Sequence, residues 1–285
     1  MTYMIIGIIG NGFVGKATFQ LKCEDIEVLA YDINPDACVP KGTNLSDMAK
    51  CEIIFVSVPT PMSKDGSCHL NIIRSVLKDL ESIQYTGHVV LRSTVPVGTC
   101  DQLSVSFMPE FLTEKNFIDD FIHNPDWIFG MLATPEAGVV KEKLSRLFQL
   151  AHKNDRIKSS KLHFVTNSEA EMIKMFRNCF LATKVSFCNE VSEFCEKKNV
   201  NYSVVMDLAT KDKRIGSGHA SVPGHDGKRG FGGTCFPKDT SSLRYEMASS
   251  DMVPHILNAI IERNETKDRP EQDWLLDQGR AAISD

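Results

Sequence analysis

A glycine-rich turn near the start of the chain places the strongest constraint on its fold. The turn is Gly10-Asn11-Gly12-Phe13-Val14-Gly15, and it directly follows the apolar run of residues 5–9, which has the length of a buried strand. In this context the first glycine permits a tight turn, the second lets the backbone approach a phosphate group, and the third lets helix and strand pack closely. The pattern therefore predicts a strand, a phosphate-binding turn and a helix N-terminus in succession.

An acidic residue, Asp32, ends the next apolar run about 20 residues after the turn, at the spacing of the dinucleotide-binding fingerprint. A carboxylate there accepts hydrogen bonds from the ribose hydroxyls and repels a 2′-phosphate, which favours NAD over NADP. The alternative is a glycine-rich turn followed by an unrelated acid. Because strand, turn, helix and acid all occur in the required order, we predict that residues 10–15 and Asp32 bind NAD.

Apolar runs alternate with amphipathic stretches through the first part of the chain, which predicts repeated βα units. The candidate strands are residues 4–9, 27–31, 52–58, 88–92, 105–108, 127–131 and 162–165. Helical spacing is found over residues 70–83 and 136–150. We therefore predict an α/β fold whose N-terminal domain, residues 1–167, is a Rossmann-like, doubly wound parallel sheet covered on both faces.

The pattern changes after residue 167. Residues 168–198 contain neither Gly nor Pro, and their apolar positions wrap widely around the helix axis, so we predict one long helix. Helical spacing also occurs at 202–210, 238–249 and 254–265, and a glycine-rich loop occupies 211–234. A mainly helical central domain over 168–285 is predicted. Its long helix forms either the spine of that domain or a dimer interface, and we expect a homodimer through residues 168–198.

The composition excludes several classes of partner. Because the formal net charge is −5, no general affinity for nucleic acid or an anionic membrane is expected. The nine cysteines form no Cys-x-x-Cys pair and no zinc-type spacing, so neither a metal site nor a disulfide framework is predicted. The first residues lack the features of a signal peptide, and their apolar run is too short to span a bilayer. We expect a cytoplasmic protein.

Cys235 is the candidate nucleophile. It lies in the segment Gly230-Phe231-Gly232-Gly233-Thr234-Cys235-Phe236-Pro237-Lys238-Asp239, where glycines let the backbone approach a substrate. Pro237 suits the first turn of the helix that follows, and a helix N-terminus beside Lys238 favours the thiolate. A cysteine in a glycine-rich loop is often purely structural. Together with a dinucleotide fingerprint, the segment favours covalent catalysis.

The segment around Cys235 resembles the active-site segment of the UDP-glucose 6-dehydrogenases, within the nucleotide-sugar dehydrogenases. Five further segments resemble the family and occur in its order: residues 56–61, 92–99, 109–114, 174–178 and 214–216. The sequence Phe236-Pro237-Lys238-Asp239 is closer to the enzymes that act on UDP-glucose than to those that act on UDP-N-acetylhexosamines. GDP-mannose and UDP-N-acetylhexosamines remain alternative substrates.

The resemblance implies a four-electron oxidation of a primary alcohol to a carboxylate with two NAD⁺, through a thiohemiacetal and a thioester on Cys235. It implies that Lys174 and Asn178, four positions apart and therefore on one helix face, stabilise the oxyanion at the sugar C6. Without the resemblance, this pair would be interpreted as solvated. By the same resemblance, Thr94 and Asp239 place and activate the catalytic water, and Glu110 is the acid/base candidate.

The resemblance also implies further binding residues. Those for the cofactor are Pro59, Thr60, Thr94 and Lys238, although Thr60 alone would also suit a turn. Those for the sugar nucleotide are Glu110, Phe111, Leu112, Lys174, Asn178, Arg214, Phe231 and Gly232. Arg214 lies in a basic run that would otherwise be interpreted as a solvated face, and it is expected to reach the substrate of the neighbouring subunit.

Members of the family continue as a second Rossmann-like domain that closes over the nucleotide half of the substrate. We expect a short form without that domain. A natural short form, a partner that supplies the domain and a shortened chain are all left open. Two other functions are also left open: a single-step hydroxyacid dehydrogenase, and a non-catalytic NAD-binding subunit that descends from such enzymes.

Overall fold

The computed structural model describes residues 3–283. It divides into two compact units, one formed by residues 3–60 and 70–174 and the other by residues 61–69 and 175–283. The short segment 61–69 therefore belongs to the unit that the second half of the chain forms. None of the helices within residues 3–283 is both long enough and apolar enough to cross a bilayer.

The first unit is built on a seven-stranded sheet in the order β2-β1-β3-β4-β5-β6-β7. The strands are β1 (Met4–Ile9), β2 (Ile26–Tyr31), β3 (Ile53–Val56), β4 (His88–Leu91), β5 (Ser106–Phe107), β6 (Trp127–Met131) and β7 (Leu162–Thr166). The first five run parallel, whereas β6 is antiparallel to β5 and β7 is parallel to β6. The Rossmann-like prediction is confirmed, with a reversal at β6 that it did not include. The connection from β5 to β6 carries only a six-residue helix, and it does not form the crossover that parallel pairing requires.

Helices cover both faces of this sheet. They are α1 (Phe13–Thr18), α2 (Asn71–Ser82), α3 (Thr99–Gln102), α4 (Phe117–Ile122) and α5 (Ala137–Lys153), and 3₁₀ turns lie at Phe19–Leu21, Pro35–Ala37 and Leu45–Lys50. Successive side chains of β3 point to opposite faces, so Ile53 and Phe55 join one buried apolar cluster and Ile54 and Val56 join another. The strands are apolar on both faces because both faces are buried.

The second unit is mainly helical, as predicted. The 31-residue helix α6 (Asn167–Lys197) begins in the first unit and continues into the second. It is followed by α7 (Tyr202–Ala209), α8 (Phe236–Ser249), α9 (His255–Arg263), a π-helical turn (Asn264–Asp268) and a 3₁₀ turn (Asp273–Leu276). Residues 211–234 form a loop of turns and bends. Met175, Cys179, Phe231, Leu243 and Ile260 are among the residues of the apolar core of this unit.

Candidate active site

The glycine-rich turn joins β1 to α1 where the strand order reverses between β1 and β3, the position at which open α/β sheets bind ligands. Gly10 has a φ of +87°, and a Cβ added there would lie 2.8 Å from the Ser57 carbonyl oxygen. A Cβ at Gly15 would lie 2.3 Å from the Gly10 carbonyl oxygen, whereas one at Gly12 meets nothing within 4 Å. Packing therefore requires glycine at positions 10 and 15, and the backbone at Gly12 is open to a phosphate group.

Polar groups around this turn also fit a dinucleotide. The Asp32 carboxylate lies beside the turn, because it accepts the Asn11 N–H at 2.7 Å. Asn11 Oδ1 and Ser57 Oγ are buried and have no hydrogen-bond partner within residues 3–283. Buried polar atoms are nearly always paired, so these two atoms indicate that a ligand or water completes the site. Pro59, which also follows β3, is exposed.

Thr94 follows β4, and two contacts hold its loop. Thr60 Oγ1 donates to the Thr94 carbonyl oxygen at 2.8 Å. The Glu171 carboxylate on α6 accepts the N–H groups of Gly98 and Cys100 at 2.6 and 2.8 Å. Burial raises the pKa of Glu171, although these hydrogen bonds oppose the shift. Glu171 was not predicted as a site residue from the sequence, although its carboxylate lies three positions before Lys174 on the same helix.

Glu110 and Lys174 form a buried ion pair, with exposed fractions of 5% and 2%. Lys174 Nζ donates to Glu110 Oε1 at 2.5 Å and to the Glu110 carbonyl oxygen at 2.8 Å. The same ammonium lies 5.9 Å from the centre of the Phe111 ring, and the Leu112 N–H donates to Glu110 Oε2 at 2.9 Å. Four residues of the predicted substrate set are thus in contact with one another.

The charge of Glu110 is stabilised from two sides. Burial alone would raise the pKa of Glu110, but the Lys174 ammonium, the Leu112 N–H and the Arg92 guanidinium together hold that pKa below its ordinary value. Arg92 is buried, and it donates to Thr18 Oγ1 and lies over the Phe121 ring. Burial lowers the pKa of Arg92 to about 10, and Glu110 opposes this shift. Arg92 was not predicted as a site residue from the sequence, although it is a charged residue that directly follows an apolar strand.

Cys235 lies at the N-cap of α8 and is half-buried. Asp239, in the first turn of α8, is fully buried, and it accepts hydrogen bonds from Asn178 Nδ2 at 2.6 Å and from Lys238 Nζ at 2.5 Å. Burial alone would lower the pKa of Lys238, but the charges of Asp239, Cys68 and Cys235 outweigh it and raise the pKa of Lys238. The ammonium therefore remains charged close to the thiol.

The structure places the predicted residues in two groups, each within one unit. Thr60 and Thr94, and the Glu110–Lys174 pair, belong to the first unit; Asn178, Lys238 and Asp239 surround the start of α8 in the second. Phe231 is buried in the apolar core of the second unit, and its backbone N–H and carbonyl oxygen are both paired with the Asn264 amide, so the structure does not present this residue to a substrate. The Arg214 side chain is 89% exposed and donates to the Asp212 carboxylate.

Two segments of the chain match domains of one protein family. Residues 41–152 match the NAD binding domain of the UDP-glucose/GDP-mannose dehydrogenase family. Residues 168–266 match the central domain of the same family. The first segment contains Thr60, Thr94 and Glu110. The second contains Lys174, Asn178, Cys235, Lys238 and Asp239.

Individual relatives agree with these matches. The UDP-glucose 6-dehydrogenase YwqF of Bacillus subtilis is 34% identical over 92% of this chain and 66% of its own length. A UDP-glucose 6-dehydrogenase of Campylobacter jejuni is 30% identical over 93% of this chain and 72% of its own length. The structure of a UDP-glucose dehydrogenase from Pyrobaculum islandicum superposes with a TM-score of 0.75 at 25% identity, over 93% of this chain and 68% of that one. The chain spans about half to two thirds of the length of the curated relatives from Bacillus subtilis and Pseudomonas aeruginosa.

Proposed function

Because the chain belongs to the UDP-glucose/GDP-mannose dehydrogenase family, we propose that it oxidises the C6 alcohol of a nucleotide sugar, UDP-glucose, to the carboxylate. The observation that carries the proposal is the setting of Cys235. Its thiol lies at the N-cap of a 14-residue helix, close to the charged Lys238 and beside the buried Asp239. A helix N-terminus and a neighbouring cation both favour the thiolate, which is the reactive form.

NAD, which the turn at residues 10–15 and Asp32 would hold, supplies the acceptor for the two hydrides that leave C6. Gly12 would let the backbone approach the pyrophosphate, and the Asp32 carboxylate would accept hydrogen bonds from the ribose hydroxyls. The match of residues 41–152 to the NAD binding domain of the family supports NAD as the cofactor.

Cys235 holds the sugar between the two oxidations. Its thiolate adds to the C6 carbonyl of the aldehyde, forming a C–S bond while the carbonyl π electrons move to oxygen. Loss of hydride from this thiohemiacetal gives a thioester. Water then adds to the thioester carbonyl, the C–S bond breaks, and the thiolate leaves with its electron pair as the carboxylic acid forms. The aldehyde is never released.

We assign the stabilisation of charge and the transfer of protons to further residues. We assign to Lys174 and to the second N–H of the Asn178 amide the stabilisation of the C6 oxyanion, for which their positions one turn apart on α6 are suited. The pKa of Glu110 lies below its ordinary value, so its side chain is an unprotonated carboxylate at neutral pH, and we assign to it the role of proton acceptor. We assign the positioning of the hydrolytic water to Thr94 and the Asp239 carboxylate.

A panel of nucleotide sugars, followed by NADH absorbance, tests this function and its substrate together. We expect two NADH per UDP-glucose, and less turnover with UDP-N-acetylhexosamines and GDP-mannose. One NADH per sugar would instead indicate a single-step dehydrogenase. Tight NAD binding without reduction by any sugar of the panel would indicate a non-catalytic NAD-binding subunit.

We also propose that a second copy of this chain packs on α6. One stripe of this helix exposes four phenylalanines, each 60–67% exposed: Phe176, Phe180, Phe187 and Phe194. Two of them, Phe176 and Phe180, stack with ring centres 6.0 Å apart. Contiguous exposed aromatic surface of this kind marks an interaction site. A dimer through this face supports the assignment of the exposed Arg214 to the substrate of the neighbouring subunit.

Phe180→Glu is expected to convert the dimer to a monomer, because it places a charge in the centre of an apolar interface. Sedimentation velocity measures the change. Val139→Glu, which alters an exposed apolar residue of α5 instead, is the matched control and should remain dimeric. A parent chain that sediments as a monomer at micromolar concentration would rule the interface out.

A further inference from the structure

We propose that Asn264, together with Arg269, is a positioning residue for Cys235. The three residues Gly230-Phe231-Gly232, called the strap below, lead into the cysteine segment, and Asn264 and Arg269 hold the strap in place. This inference rests on the proposed function, since it concerns the residue to which we assign the chemistry. All of the contacts involved lie within the second unit.

Asn264 pairs with both backbone groups of Phe231. Its Oδ1 accepts the Phe231 N–H at 2.8 Å, and its Nδ2 donates to the Phe231 carbonyl oxygen at 2.9 Å. Asn264 is only 1% exposed, so neither hydrogen bond competes with bulk water. A second buried amide, Asn189 on α6, accepts the Gly230 N–H at 3.2 Å. Two buried side chains thus supply the hydrogen bonds that a neighbouring strand would otherwise make to this backbone.

The glycines of the strap are required by these partners. Gly230 has a φ of +69°, and a Cβ there would lie 2.3 Å from Asn264 Oδ1. A Cβ at Gly232 would lie 2.4 Å from Arg269 Cζ. The Arg269 guanidinium cannot move aside easily, because it donates to both carboxylate oxygens of Asp273, at 2.7 and 2.8 Å, and to Asp226 at 2.7 Å. The Arg269 guanidinium is therefore held in a fixed position against the strap.

A π-helical turn places Asn264 and Arg269 next to the strap. The α9 helix continues into a π-helical turn, Asn264–Asp268, which the Arg269 N–H closes by donating to the Asn264 carbonyl oxygen at 2.8 Å. Such turns are rare and occur frequently at functional sites. The turn begins at Asn264 and ends next to Arg269, and these are the two residues that hold the strap.

The strap determines how the chain enters α8. Only Gly233, with φ +72°, and Thr234 separate Gly232 from Cys235, whose carbonyl oxygen accepts the first helical hydrogen bond from the Asp239 N–H. A displaced strap would therefore move the thiol relative to Lys238 and the helix N-terminus. A misplacement of about 1 Å can lower an enzymatic rate by about two orders of magnitude.

The test compares Asn264→Ala with Asn258→Ala, a matched change on the exposed side of α9. The first measurement is the pH dependence of Cys235 alkylation by iodoacetamide in the whole chain, followed by mass spectrometry of the cysteine peptide. The second is kcat and KM for UDP-glucose. For Asn264→Ala we expect the midpoint of alkylation to move to higher pH and kcat to fall roughly tenfold or more, with KM changed less than about threefold.

The outcomes separate this inference from the proposed function. Alkylation requires no sugar, so a shifted midpoint in a chain that oxidises no nucleotide sugar would support the positioning role and refute the enzyme. An Asn264→Ala midpoint equal to those of the parent and Asn258→Ala would overturn the inference. If Asn264→Ala does not fold, Asn264→Asp takes its place, because it retains the acceptor for the Phe231 N–H and loses only the donor. The same two measurements on this variant then test whether Asn264 positions Cys235.

Discussion

Replacing Cys235 with alanine is expected to lower the steady-state rate of NADH formation from UDP-glucose by about a thousandfold or more. Without the thiolate, the aldehyde has no nucleophile to hold it, and no thioester forms. Any NADH that appears should stop at one equivalent per sugar, since only the first oxidation proceeds. The measurement is NADH absorbance, with sugar in excess for the rate and limiting for the stoichiometry.

The matched control is Cys23→Ala, which alters a half-buried cysteine of the first unit and should retain the parent rate. Cys235→Ser adds a second readout, because an ester hydrolyses more slowly than a thioester. Intact-mass spectrometry is expected to show this variant carrying the substrate. If Cys235→Ala forms two NADH per sugar at the parent rate, a residue other than Cys235 carries out the covalent step.

The strands were predictable because each one depends on a local pattern. β1 and β6 have the predicted bounds, and the apolar run of β1 ends at a turn-forming residue, Gly10. β5 is shorter than the predicted residues 105–108 and covers only Ser106–Phe107, because it pairs with β4 over these two residues and with the reversed β6 only at Phe107 and Gly130. That reversal depends on how the connection between β5 and β6 folds back over the sheet. The spacing of apolar residues along the sequence does not predict it.

The sequence allowed candidate site residues to be selected one by one, but it did not predict which of them contact each other. The resemblance singled out Glu110 and Lys174 separately, and it assigned Lys174 to an oxyanion; their mutual ion pair joins residues 64 positions apart. Asn178 and Asp239 are 61 positions apart. Such contacts follow from tertiary packing, whereas motifs record only local spacing. For the same reason Arg92, Glu171 and Asn264 had no assigned role before the structure was known.

Lys174→Met is expected to lower the free energy of unfolding by about 3 kcal/mol near pH 7, at the lower end of the range for a broken buried ion pair. The substitution removes the ammonium and leaves the Glu110 carboxylate buried. The lower end applies because Arg92 and the Leu112 N–H still stabilise that carboxylate. Urea unfolding measures the change. Lys197→Met, which removes the exposed Lys197 ammonium from Glu193 on the same helix, should have little effect, because Glu193 retains its ion pairs with Arg263 and Lys267.

The loss should depend on pH in a defined direction. In the parent, the pKa of Glu110 is below its ordinary value of 4.5, so the pair stabilises the fold above that value, and the contribution is lost as the pH falls through the folded pKa. In Lys174→Met, burial dominates and the pKa of Glu110 should rise, so protonation relieves the buried charge as the pH falls below the raised value. The difference between parent and variant is therefore expected to shrink from about pH 7 to about pH 4. Adding Glu110→Gln should recover much of the lost stability near pH 7. A difference that is independent of pH, and unchanged by Glu110→Gln, would mean that Lys174 acts through packing rather than through its charge.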